Sequence, residues 1–159
     1  MKKELQTAIL QENLYKVAYF LKEIEENSIS INLYTTLNMA TLHSTPEIVE
    51  LLMDELSLSF SEHILVKTFD NINTGKEEYF ENYKIFIKKA LPKMSSYLIE
   101  QKIEEFCNKN SENKYEILYK EEFLKVLKNP CFKSINNEFI DLLRNNIKKE
   151  KLKLSLEDF

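Results

Sequence analysis

Glycine occurs once in this 159-residue chain, at Gly75, and proline three times. Tight β-hairpin turns and phosphate-cradling loops both use glycine to reach positive φ. A chain with one glycine is therefore steered away from β-sandwiches and from glycine-rich nucleotide loops. Its apolar residues recur at three- and four-residue spacings, which predicts helices, and the length suits one domain (1–159) burying a substantial core.

The clearest helix start lies at Thr45-Pro46-Glu47. Thr45 can accept a backbone N–H, Pro46 suits the first helical position, and Glu47 falls where the helix dipole favours negative charge. Ile48, Leu51, Leu52 and Leu56 then lie at i, i+3, i+4 and i+8, leaving Glu50, Asp54 and Glu55 largely on other faces. Upstream, Leu37 and Ala40 are three residues apart, and the small Ala40 lets two helices of a hairpin approach closely.

Residues 35–56, TTLNMATLHSTPEIVELLMDEL, resemble the core of an ankyrin repeat. Thr35, Leu37 and Ala40 match that family's Thr-Pro-Leu-His-x-Ala opening, and Glu47, Ile48, Val49, Leu51 and Leu52 match its second helix. Thr36 stands where the family has proline, Asn38 where it has histidine, and Ser44 and Leu56 where it has glycine. A weaker copy lies upstream, aligning Leu5 with Leu37, Ala8 with Ala40 and Val17 with Val49. The resemblance extends over about the first 70 residues and implies an all-α fold, a short solenoid of antiparallel helical hairpins that binds a protein. The expected organisation is ankyrin-like hairpins over 1–74, irregular helical hairpins over 75–149 and a tail over 150–159.

Asn13 is a plausible cap before Leu14, Val17, Ala18 and Leu21. The connector 27–34, with Ile29 and Ile31 alternating with polar residues, suits a finger loop or a short strand. Ser59 and Glu62 have capping-box spacing, as do Thr74 and Glu77, and Gly75 suits a left-handed residue after a helix. Further apolar stripes fall at Ile64, Leu65, Thr68 and Phe69; at Tyr83, Phe86, Ile87 and Ala90; at Ile99, Ile103, Phe106 and Cys107; at Tyr119, Phe123, Val126 and Leu127; and at Ile135, Phe139, Leu142 and Leu143. Leu152, Leu154 and Leu156 alternate behind lysines and suggest a packed extended tail or a loose end.

The residues propose no catalytic, cofactor or metal site. His43 and His63 are far from each other and from Cys107 and Cys131, and Cys107 lies on an apolar face where a buried thiol is common. Neighbouring carboxylates such as Glu77-Glu78 and Glu104-Glu105 do not face each other on a helix. MKKELQTAIL lacks the apolar run of a signal peptide, and no stretch approaches the ~20 apolar residues of a membrane span, so a cytoplasmic protein is expected. Lysine clusters at Lys84, Lys88, Lys89 and Lys93 and at Lys148, Lys149, Lys151 and Lys153 are joined by one arginine, Arg144, which argues against nucleic acid. The lysine, asparagine and isoleucine bias suits an AT-rich bacterial or viral genome.

Charge is unevenly spread: residues 1–81 hold 6 basic and 14 acidic groups, net −8, and 82–159 hold 16 and 12, net +4. An acidic half attracts a basic partner. The expectation is a non-catalytic binding protein, similar in class to bacterial immunity proteins or antitoxins, covering a basic toxin such as a nuclease through Glu47, Glu50, Asp54 and Glu62. The alternative is an ankyrin-like adaptor or effector binding a host or cellular protein through Tyr34, Asn38, Thr41 and Lys67.

Overall fold

Asparagine, threonine and serine begin the helices of this chain. In the computed structural model, which describes residues 2–130, 132 and 135–157, Asn13, Asn32, Thr45, Ser61, Ser95 and Asn113 each accept a backbone N–H of the first helical turn. These caps satisfy donors that have no partner inside the helix. The nine α-helices among the described residues are α1 (Lys2–Leu10), α2 (Leu14–Glu26), α3 (Leu33–His43), α4 (Pro46–Glu55), α5 (Glu62–Ile72), α6 (Phe80–Ala90), α7 (Ser96–Asn108), α8 (Lys114–Leu127) and α9 (Asn137–Glu157). Single 3-10 turns at Glu77–Tyr79 and Leu91–Lys93 flank α6. The all-α expectation holds.

Two files of helices share one core. The first runs α1 to α3 to α5, and the second α2 to α4 to α6 to α8; α9 crosses both α7 and α8. Leu5, Ala8, Val17, Leu37, Ala40 and Val49, the six residues aligned between the two upstream segments, are all buried. On α4 the stripe is wider than the i, i+3, i+4 spacing requires: Ile48, Val49, Leu52 and Met53 are all buried while Leu51 is half-buried. The helix is covered by α2, α3 and α6, and each such side chain contributes about 1.5–3 kcal/mol of transfer free energy.

The turn between α3 and α4 needs no glycine. Ser44 has φ −127° and Leu56, after α4, has φ −106°, so neither residue enters the left-handed region that favours glycine. The Ser44 hydroxyl donates to the Ile9 carbonyl at 2.8 Å. Asn82, buried on α6, donates from its amide to the carbonyls of Thr41 at 3.0 Å and Ser44 at 2.9 Å. Three successive pairs of helices are thus tied at one turn.

Several expectations require correction. Ser61, not Ser59, caps α5. Thr74 caps no helix: its hydroxyl accepts the Lys76 N–H at 3.1 Å, and a 3-10 turn precedes α6. The 27–34 connector contains no strand, and α3 already begins at Leu33; Ile29 and Ile31 pack against the core from a loop. Leu14 and Ala18 face solvent, because α2 turns Val17, Leu21 and Ile24 inward instead. Leu142 is likewise exposed. The 150–157 segment is neither extended nor loose but the last turns of α9. Cys131 and residues 158–159 lie outside the described residues.

Gly75 is in the left-handed region at φ 69°, as its position after α5 predicts. A second constraint adds to this, since a Cβ there would sit 2.4 Å from the Glu116 Cγ. Gly75→Ala is expected to cost about 1–3 kcal/mol, measurable by urea unfolding. Part of that loss should return in a Gly75→Ala, Glu116→Ala double variant, leaving only the backbone cost.

Candidate functional site

Three places gather the residues that could do work. The first is the outward side of α4. Glu47, Glu50 and Asp54 follow at i, i+3 and i+7, so they share one exposed face, and all three are exposed. They rim a shallow depression of about 350 Å³ whose apolar floor comes from Leu14, Pro46, Leu51 and Ile85. Asp54 is engaged by Lys89 at 2.8 Å, a contact that holds the Lys89 ammonium above its ordinary range. Glu47 and Glu50 enter no ion pair among the described residues, so their field points to solvent.

The second place joins α3 and α5. Asn71 donates to the Tyr34 hydroxyl at 2.6 Å and to Asn38 Oδ1 at 2.9 Å, and the Lys67 ammonium lies 4.4 Å from the Tyr34 ring centroid, a cation–π contact. Tyr34, Asn38 and Lys67 are therefore neighbours. Asn71 is the member that sequence reasoning missed, although its i+4 spacing from Lys67 would have found it. Thr41, expected beside them, is fully buried; its hydroxyl donates to the Asn38 carbonyl at 3.1 Å. It faces the core and cannot touch a partner, which corrects that expectation. Glu62 is exposed in the first turn of α5, on a different helix from the α4 carboxylates.

The third place is polar and buried, and no local pattern announced it. Lys120, 3% exposed, donates from its ammonium to the Lys109 carbonyl at 3.1 Å, to Asn146 Oδ1 at 3.0 Å and to a Glu150 carboxylate oxygen. The other Glu150 oxygen accepts the Ser111 N–H. Lys102, also buried, reaches Asp70 at 2.7 Å and Glu105 at 3.3 Å. Burial disfavours its charge, yet the two carboxylates outweigh it and hold its pKa above the ordinary lysine value. Next to this network a cavity of about 230 Å³ is lined by Asp70, Gly75, Phe106, Ser111, Tyr119 and Lys120, among others. Cys107, half-buried on α7, has its thiol pKa pushed up by burial, so it is a poor nucleophile near neutral pH.

Burial opposes ionisation of Glu150, but Lys120 and Ser111 more than offset it, and its pKa lies below the ordinary glutamate value. A carboxyl whose pKa is lowered on folding stabilises the fold fully above its unfolded-state value of about 4.3. That contribution is lost as pH falls from there through the folded value. Acid titration of stability should therefore show a loss below about pH 4.3 that is smaller in Glu150→Gln, measured as the urea midpoint against pH.

Compared with protein-family models, curated proteins and solved structures, the chain matches none. The described residues hold no group of three His, Cys, Asp or Glu side chains arranged for a metal ion, and no helix long and apolar enough to cross a membrane.

Proposed function

We propose that this chain is a non-catalytic protein-binding module built from ankyrin-like helical hairpins stacked as a short solenoid, and that it binds a basic protein in the manner of an immunity protein or antitoxin. The single observation that carries this reading is the α4 depression, where an apolar floor of Leu14, Pro46, Leu51 and Ile85 is rimmed by Glu47, Glu50 and Asp54. An apolar centre within a charged rim is the anatomy of a protein interface. A rim of one sign selects a partner of the other and speeds its encounter. Three features support the stacked-hairpin part: the two files of helices, the burial of all six aligned residues, and the turn shared by three pairs. The basic toxin domain rests on analogy of class, and so does a cytoplasmic location.

The tethering of Asp54 by Lys89 refines the test, because reversing Asp54 would break an internal contact as well. The variant of choice is Glu47→Lys, Glu50→Lys. Tagged wild-type chain should retain a basic protein from its native lysate and release it steeply with salt, since exposed charges are screened within about 8–10 Å. The double variant should bind the purified partner about tenfold more weakly, with a shallower salt dependence. Equal affinity and an equal salt slope would remove α4 from the interface.

The grouping of Tyr34, Asn38, Lys67 and Asn71 favours a second reading, an adaptor surface on α3 and α5. It predicts that Tyr34→Ala, rather than the α4 reversals, abolishes binding, with little effect of salt.

A further inference from the structure

The far end of the chain carries a complement to the α4 depression. Helix α9 turns Leu143, Ile147 and Glu150 inward, all buried. Its opposite side exposes Leu142 at 46%, Leu152 at 65% and Leu156 at 66%. Leu152 and Leu156 are one turn apart, and Lys148, Lys149 and Lys153 lie three or four positions from them, so leucines and lysines form one ridge on the outward face. Other cations of this helix are engaged, Arg144 by Asp141 and Lys151 by Glu121. Lys148, Lys149 and Lys153 are exposed and enter no ion pair among the described residues.

The ridge presents leucines flanked by unpaired ammonium groups; the depression on α4 presents an apolar floor flanked by the unpaired carboxylates of Glu47 and Glu50. We propose that a second copy of this chain docks here, seating the Leu152 and Leu156 ridge of its α9 in the α4 depression, with Lys149 and Lys153 against Glu47 and Glu50. Every copy carries both patches on different helices, so the contact is head-to-tail, closing into a ring or extending as an open chain according to the rotation it imposes. The contact is small and its charges are solvent-exposed, so it is weak and salt-sensitive. If the depression is also the partner surface proposed above, self-association masks it and the partner competes. That consequence alone rests on the proposed function.

Sedimentation of the full chain over a concentration series tests the inference. Wild type should associate at low salt and dissociate about tenfold more readily when the charges are screened. Glu47→Lys, Glu50→Lys and separately Lys149→Glu, Lys153→Glu should each be monomeric, since like charges now face each other. An equimolar mixture of the two variants should associate again, because each reversed patch meets its reversed complement. That restoration guards against a variant that has merely misfolded. Wild type that stays monomeric at low salt, variants that associate like wild type, or a mixture that does not recover would each overturn it. Such a result leaves the capture of a basic protein, read in a separate assay, unaffected.

Discussion

Replacing Lys120 by methionine is expected to lower the free energy of unfolding by about 3–5 kcal/mol, because it leaves Glu150 charged and buried without its counter-ion. Lys120 and Glu150 are 3% and 8% exposed, on α8 and α9, and Glu150 also holds the Ser111 backbone. The substitution therefore unseats α9 and the 109–111 loop together. Urea unfolding of Lys120→Met, Glu150→Met and the double variant forms a thermodynamic cycle. The double variant should recover much of the single-variant loss, since methionine on both sides removes the uncompensated charge. A single-variant loss below about 1 kcal/mol would mean that the pair is solvated in solution.

Phe69→Ala is expected to be comparably damaging, at about 3–5 kcal/mol. Phe69 is 1% exposed, and its ring centroid lies 6.2 Å from that of Tyr83, 6.3 Å from Phe106 and 5.8 Å from Phe123. These rings come from α6, α7 and α8, so one side chain on α5 closes the space where four helices meet. Tyr83 is fixed in turn by a bond from its hydroxyl to the Tyr119 carbonyl at 3.0 Å, and burial holds its pKa well above the ordinary tyrosine value. The surrounding rings cannot collapse far into the void, which places the cost at the upper end of the range for large-to-small changes. Thermal unfolding should shift downward on the order of 10 °C, and near-ultraviolet circular dichroism should lose tyrosine intensity.

What could be read from the chain was what local chemistry decides. Thr45 and Pro46 open α4, Asn13 opens α2 and Gly75 adopts positive φ because each effect acts within a few residues. Capping-box spacing misled at Ser59 because Ser61, two residues on, takes the cap of α5, and at Thr74 because its hydroxyl accepts the Lys76 N–H and a 3-10 turn precedes α6. Periodicity placed Leu14 and Ala18 inside α2, but the helix turned Ile24 inward with Val17 and Leu21. The candidate surfaces divided in the same way. Glu47, Glu50 and Asp54 share a face by helical spacing alone, whereas the burial of Thr41 depends on the arrival of α6. Nothing in the sequence singled out Lys102, Lys120 and Glu150, for apart from Glu105, three residues after Lys102, their side-chain partners lie 26 to 32 residues away.

The turn at Ser44 has a bearing on how such a chain can change length. In tandem arrays each unit touches only its neighbours, and whole units can be gained or trimmed at the ends. Here Ser44 reaches back to Ile9, and Asn82 reaches forward from α6 to close the same turn. Cutting after Gly75 would strip the carbonyl of the fully buried Thr41 of its amide donor, and cutting before α3 would remove the Ser44 hydroxyl that the Ile9 carbonyl accepts beside the Glu12 N–H. The stitches couple the first three helix pairs at this turn, so loss of one hairpin strips hydrogen bonds from the next.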